Sequence, residues 1–283
     1  MHIPPLKPEV LFNLGPFPIT NSFLTSLVAA LLLCVFAIIV GKNFKRLPSG
    51  PQHLFEAVYE LFDNMASATL GKAGRKFTPF VTTLFLFILF NNWIGILPGV
   101  GSFGFYREAE HTAIAATTTE QSTAGSTEAV VPAKTDASGE HELEFTPLFR
   151  GGNADLNMTL ALALISMVVI HASGIKSAGL AHHLAHFKNP LEIVSELGKI
   201  LSYSFRLFGN VFAGEVLLVA MGSIIAIVTK NFANTLFGLP GGIIATPFYL
   251  FELFVGFIQA FVFAVLTLSF LSLFYKSETS HAH

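Results

Sequence analysis

NPLEIVSELGKILSYSFRLFGNVFAGEVLLVAMGSIIAIVTK, residues 189–230, decides how the rest of the chain is read. Asn189 can cap a helix, Pro190 suits a first helical position, and Glu192 sits where a capping-box acid would. No further proline occurs until Pro240. About forty residues of helix rise roughly 60 Å, about twice the hydrocarbon thickness of a bilayer. Such a helix must tilt strongly, bend or run partly along the membrane surface.

Arg206 lies in the middle of this helix, with the uncharged run Val216 to Thr229 beyond it. A fixed positive charge at membrane depth costs about 2.5 to 3.5 kcal/mol by insertion scales, so it reads as functional by default, with a snorkelling arginine as the alternative. At 100° per residue, Ser195, Lys199, Ser202, Arg206, Asn210, Ala213 and Leu217 fall near one line along the helix. That stripe passes from polar to small to apolar. Gly209 and Gly214 leave room for another helix. Glu215, nine residues beyond Arg206, projects from the opposite side.

Composition agrees with a polytopic membrane protein. The 283 residues are 52% hydrophobic and 12% charged, with 30 phenylalanines, more apolar side chains than one soluble core of this length would bury. A formal net charge of −2 gives no nucleic-acid footprint. Cys34, the only cysteine, lies in an apolar run, which excludes an intrachain disulfide and a cysteine metal site. The first residues, MHIPPLKPEV, lack a basic signal-peptide region, and neither a cleaved signal nor a transit peptide is expected.

Along the chain, residues 1–19 read as a polar, proline-bearing lead, and a first span runs from about Thr20 to Val40. Lys42, Lys45 and Arg46 follow it, and Lys72, Arg75 and Lys76 precede the second span, Phe80 to Leu97. The positive-inside rule places residues 41–78 in the cytoplasm and the N-terminus outside. Between the clusters, Leu54, Val58, Leu61, Phe62 and Met65 recur at helical spacing, as in an interfacial or partner-contacting amphipathic helix. Trp93 suits an interfacial anchor, while Asn91 and Asn92 could line a wet passage or pack between helices. Residues 101–150 read as a flexible polar insertion on the outer side, rich in Thr, Ala, Ser and Glu. Its acids outnumber Arg107, Lys134 and Arg150; a cation antenna is conceivable, a tolerated insertion the simpler account.

The third span, about Leu156 to Ile175, is introduced by Asp155 and Asn157, and Asp155 can simply begin the helix at its positive dipole end. Lys176 and Lys188 return the chain to the cytoplasm. His182 and His186 stand four apart without the Glu of HExxH or a completing ligand, so a wet interface loop is the better reading than a metal site. The organising helix crosses next, Asn231 to Gly242 makes an outside turn, and a last helix runs from about Pro247 to Tyr275. Glu252, Gly256 and Gln259 share one of its faces. One antiparallel register would bring Gln259 near Arg206 and Glu252 near Glu215, although the turn so drawn centres about two helical turns, roughly 10 Å, too late.

The stretch SYSFRLFGNVFAGE, Ser202 to Glu215, resembles the signature of subunit a of F-type ATP synthases. TLFLFILFNNWIGILPG (83–99), ADLNMTLALAL (154–164) and IQAFVFAVLTLSFLSL (258–273) carry similar family patterns, so the resemblance covers most of the hydrophobic chain. It is weakest at the N-terminus and in residues 101–150, where the family's loop is usually much shorter.

The resemblance implies an all-α polytopic membrane protein: one membrane domain over residues 1–283, about five transmembrane helices, the last two a long tilted hairpin, and an interfacial amphipathic helix. It implies a stator beside a rotating c-ring, with a b-type peripheral stalk and a soluble F1 catalytic head as further partners, the lipid bilayer around it, and no cofactor. Proton translocation would fall to Arg206, Glu215, Glu252, Gln259, Asn210 and Ser202, and Asp155, Asn157, Asn91 and Asn92 would border an outer half-channel. A guanidinium stays charged at every working pH, attracts a ring carboxylate and repels a cation seeking a shortcut between two half-channels, whereas a buried lysine could deprotonate. Glu215 and Glu252 would relay protons on the outer side, sharing one between them because two close carboxyls ionise together only at high cost. Their use favours H⁺ over Na⁺. Each charge crossing yields about 2.3 kcal/mol per 100 mV, so several crossings are needed per ATP and the partner must be a multi-subunit ring.

No GxxxxGK[ST] occurs, so nucleotide chemistry is expected elsewhere and the chain is not expected to be an enzyme by itself. The expected location is a bacterial inner membrane, with an organelle membrane as the variant. A self-contained transporter or channel is the first alternative, though no convincing internal repeat is seen. An intramembrane metallohydrolase is the second, and the incomplete histidine set argues against it.

Overall fold

The computed structural model describes residues 8–42, 50–97, 100, 103–108, 143–180, 183, 189–232 and 241–275. The expectations for the centre of the polar insertion, for His182 and His186, for the turn at 233–240 and for the C-terminal tail lie outside these residues. Among the described residues six α-helices carry the fold: α1 (Asn21–Lys42), α2 (Pro51–Leu70), α3 (Thr78–Ile96), α4 (Leu156–Ala178), α5 (Pro190–Phe232) and α6 (Gly241–Phe274). All except α2 are long and apolar enough to span a membrane.

Local chemistry sets the ends of these helices. Asp155 accepts from the Asn157 backbone N–H at 2.9 Å and so caps α4. Asn189 Oδ1 takes the Leu191 N–H at 3.2 Å ahead of Pro190, which starts α5 as expected. At 43 residues α5 is roughly 64 Å long. The last helix begins about two turns earlier than Pro247, which lies inside it. Loss of one backbone N–H is tolerated there because neighbouring groups in membrane helices take up the freed carbonyl.

The lead is more ordered than its prolines suggest. Strands β1 (Val10–Leu14) and β2 (Phe17–Thr20) pair antiparallel about a turn at Gly15, whose φ is 65°. The segment read as a flexible insertion over 101–150 also contains a paired ladder near its two ends, β3 (Gly104–Glu108) and β4 (Leu143–Pro147). Asn21 Nδ2 donates to the Pro147 carbonyl at 3.3 Å and ties the start of α1 to the end of β4.

The core lies among α3, α4, α5 and α6, where Ile88, Ile170, Leu207 and Leu268 are fully enclosed. Helix α2 joins it through Phe62, whose ring centroid is 5.1 Å from Phe85 and 6.1 Å from Phe261. Val58 and Met65 pack at its margin, while Leu54 and Leu61 stay exposed, so the amphipathic face is narrower than the sequence spacing suggests.

Helix α1 is apolar outside and polar inside. Leu27, Leu31, Val35 and Ile38 are exposed, whereas Ser22, Thr25 and Ser26 are buried. Hydrocarbon chains solvate the first set as well as a core would; in the second set Thr25 and Ser26 reach carbonyls of their own helix, and Ser26 Oγ also lies within bonding distance of Asn91 on α3. Close backbone approach completes the outer end: a Cβ on Gly95 of α3 would stand 2.5 Å from the Gly151 Cα. Gly95→Val therefore forces α3 away from the 151–155 segment. An overpacking cost of about 1–3 kcal/mol is expected, read as a lower survival of the chain in membranes under a graded heat challenge.

Candidate functional site

The residues singled out from the sequence fall in two polar regions of the bundle, one enclosed and one exposed. The enclosed region begins at Arg150, which follows β4 and is 5% exposed. Its Nε donates to both Glu215 oxygens at 3.0 and 3.1 Å, and Nη2 adds a third bond at 3.0 Å. The Arg150 backbone N–H is held by Thr25 Oγ1 at 3.1 Å, so α1 fixes the arginine's position. Glu215 lies on the opposite side of α5 from Arg206, and its carboxylate is directed into this region.

Helix α6 brings in Glu252, Gly256 and Gln259, the face read from the sequence. The Glu252 carboxyl lies against Gly214 so closely that a side chain at 214 would collide with it, which puts Glu252 beside the residue next to Glu215. Asn92 Nδ2 donates to the Gly256 carbonyl at 2.8 Å, and Asn153 Nδ2 donates to Asn92 Oδ1 at 2.7 Å. Asn210 Nδ2 donates to Gln259 Oε1 at 2.5 Å. The hairpin register is thus close to the expected one, with Gln259 meeting Asn210, one turn from Arg206.

Ser26 Oγ donates to Asn91 Oδ1 at 2.8 Å, so Asn91 links α3 to α1. Trp93, at the same end, is partly exposed and donates Nε1–H to the Leu253 carbonyl at 3.1 Å. Asp155 is buried as the α4 cap, and Asn157 is exposed beside it. Among the described residues, Arg150 Nη1, Asn153 Oδ1, Ser22 Oγ and Gln259 Nε2 are buried without a hydrogen-bond partner in the protein. Leaving a polar atom so costs about 1–3 kcal/mol, and buried polar atoms of this kind are the ones water satisfies. Four such atoms lie across α1, the 150–153 segment and α6.

The exposed region is the α5 stripe. Ser195, Ser202, Arg206 and Asn210 are all exposed, with Lys199 and Leu217 half-buried. Arg206 donates from Nη2 to Ser202 Oγ at 3.5 Å. Phe205 and Leu201 are exposed alongside. A guanidinium at mid-span on an outward face is unfavourable against lipid, so this face suits a partner that supplies counter-charge.

Arg150, Asn153 and Ser26 are the members that reading the sequence missed. The GG pair at 151–152 is the signal that could have found the first two: a Cβ on Gly152 would collide with Ser26 Oγ and Asn91 Oδ1, so the backbone must approach α1 and α3 here. Among the described residues no group of three His, Cys, Asp or Glu could hold a metal ion.

Compared with known proteins, the chain matches the family described as the ATP synthase A chain over residues 23–272. It is 29% identical over 262 residues to the ATP synthase subunit a of Desulforamulus reducens, covering 90% of this chain and 78% of that protein. The ATP synthase subunit a of Moorella thermoacetica is 27% identical over 275 residues, with 95% and 97% covered. That of Syntrophobacter fumaroxidans is 28% identical over 287 residues, with 98% and 91% covered.

Proposed function

The chain belongs to the ATP synthase A chain family, and from that premise we propose that it supplies two offset proton half-channels to a rotating ring, with Arg206 standing between them. As a member of the family it is a non-catalytic, multi-pass membrane subunit of the proton-conducting sector. The finer reading assigns the outer half-channel to the enclosed network. A proton would enter among Asn91, Asn92, Asn153 and the Asp155–Asn157 end of α4. It would pass by Glu215 and Glu252 and reach the ring carboxyl near Asn210 and Gln259. Arg206 would hold that carboxyl in its ionised form as it passes and bar direct flow between the two paths. Ser202 would orient the guanidinium.

The observation that carries this reading is the exposed stripe. A self-contained transporter would keep its fixed charge within its own bundle; here the enclosed network stops at Asn210–Gln259 and the arginine faces outward. The complement is a ring whose buried carboxylate passes this face. A c-ring, a b-type stalk and a soluble F1 head are the partners proposed, in a bacterial inner membrane with the N-terminus outside, and H⁺ is the ion. Residues 1–283 would form one membrane domain bearing a polar outer insertion at 101–150.

The test is cross-linking in the assembled complex. With Cys34 replaced by serine, a cysteine at Ser202 or Asn210 is expected to cross-link a ring subunit bearing a cysteine beside its carboxyl. A cysteine at Val168, exposed on α4, should give no such product. Cross-links from Val168 in place of the stripe would mean that another face meets the ring.

A further inference from the structure

At the end of the bundle away from Arg150, titratable side chains from three segments meet. His171 of α4 places Nδ1 3.1 Å from Nε2 of His183, which lies between α4 and α5. The other nitrogen of the His171 ring, Nε2, is 3.6 Å from Glu196 Oε2 on α5. Glu196 Oε1 accepts from Lys199 Nζ at 2.6 Å. The ammonium stands 5.3 and 5.4 Å over the rings of Phe270 and Phe274, which α6 contributes to the cluster. Both imidazoles pack against Phe274 as well, and Tyr203, lying against Phe270, is the next titratable group along α5.

Two features set this cluster apart from a plain ion pair. Glu196 is 5% exposed, and its Oε2, turned toward His171, has no hydrogen-bond partner. A Lys199–Glu196 pair satisfies itself through Oε1 alone, so the second oxygen is left for a proton-bearing group. Gly174 also leaves the space that His183 fills, since a Cβ there would stand 3.0 Å from Nδ1 of that ring. Lys199 belongs to the stripe of Ser202 and Arg206, so the groups lead from that face, behind α5, to the α4–α5 connection.

We propose that Glu196, His171 and His183 form a proton relay joining the Arg206 face to the aqueous side at the α4–α5 connection. The inference rests on the proton-conducting reading above. Glu196 Oε2 gives a proton to His171 Nε2, the O–H bond breaking as the N–H forms and the carboxylate being left paired with Lys199 Nζ. The His171 Nδ1–H bond breaks, and that proton bonds to His183 Nε2. His183, 6% exposed, then gives up its Nδ1 proton toward the α4–α5 connection. Each ring gains one N–H and loses one, so charge is conserved, and exchange of each ring's proton with water, lost at Nε2 and regained at Nδ1, resets the tautomers before the next transfer. The sequence runs backwards when the complex pumps in the other direction.

The test uses the whole complex in vesicles with its catalytic head outward, so that the aqueous side at the α4–α5 connection is the bulk medium. ATP-driven acidification is followed while the medium pH is varied. His171→Gln, and separately Glu196→Gln, are expected to slow pumping about a hundredfold, the low end of what a positioned proton-transfer group contributes, and to flatten its dependence on the medium pH. Imidazole added to the medium should restore much of the rate in His171→Gln. Wild-type rate and pH profile in an assembled variant would overturn the relay. So would a slowed variant that keeps the wild-type pH profile and gains nothing from imidazole, because that pattern belongs to a packing role. Should Glu196→Gln fail to assemble, His171→Gln decides alone, its ring being partly exposed. Arg206→Ala in the same vesicles separates the two readings: if it pumps normally, the stator reading has failed, and if it is dead while His171→Gln is unaffected, only the relay has.

Discussion

Arg206→Ala is expected to abolish ATP-driven acidification of inverted vesicles while the complex still assembles and hydrolyses ATP. The guanidinium is exposed on α5 at mid-span, with Ser202 as its hydrogen-bond acceptor. Removing it removes the charge that favours ionisation of a passing ring carboxyl, so the ring would either stall or turn without exchanging protons. Passive leak should rise in parallel. Arg206→Lys should fall between, because an ammonium in this position can lose its proton and with it the barrier. Pumping that survives the alanine substitution unchanged would return Arg206 to a snorkelling role and remove the centre of the proposal.

Glu215→Leu is expected to have the second largest effect, through a different cause. Arg150 has a side chain 4% exposed and directs three hydrogen bonds at Glu215. Without the carboxylate the guanidinium is left enclosed and uncompensated, a loss of about 3–5 kcal/mol, and little assembled subunit should be recovered from membranes. Removing both charges in Arg150→Leu/Glu215→Leu should restore assembly to near the wild-type level, since an apolar pair of similar volume replaces a buried ion pair at small cost. The double variant should nevertheless pump poorly, because the outer path then keeps only one of its two carboxyls, Glu252. If it both assembles and pumps, the pair is structural and Glu215 carries no protons.

The long α5 helix, its polar stripe and the face shared by Glu252, Gly256 and Gln259 were legible because each rests on helical periodicity and needs no knowledge of distant neighbours. The cap at Asp155 and the start at Asn189–Pro190 were legible for the same local reason. Arg150 was not. In sequence it is one of a few bases near an acidic stretch, and its meaning comes from a partner 65 residues away and from Thr25 of α1. The β1–β2 pair was hidden by its prolines, although apolar residues on both sides of Gly15–Pro16 carry the signal of a tight turn. Trp93 illustrates a partial reading: it lies partly exposed, as an interfacial anchor should, and also bonds the Leu253 carbonyl of α6. That second role depends on a hairpin register that a single helix cannot reveal.

The inside-out character of α1 also bears on how the protein is made. Helix α1 is the most apolar of the five spans and α3 the least. As the chain leaves the ribosome, α1 can enter the bilayer on its own hydrophobicity, with Thr25 and Ser26 bonded to carbonyls of their own helix and Ser26 still without its partner on α3. Helix α3 arrives with Asn91 and Asn92 and is the poorer candidate for independent insertion. The bond from Ser26 to Asn91 gives the earlier helix a docking point for the later one. Order of synthesis thus becomes order of assembly, with the first span serving as the membrane-resident receiver for the second.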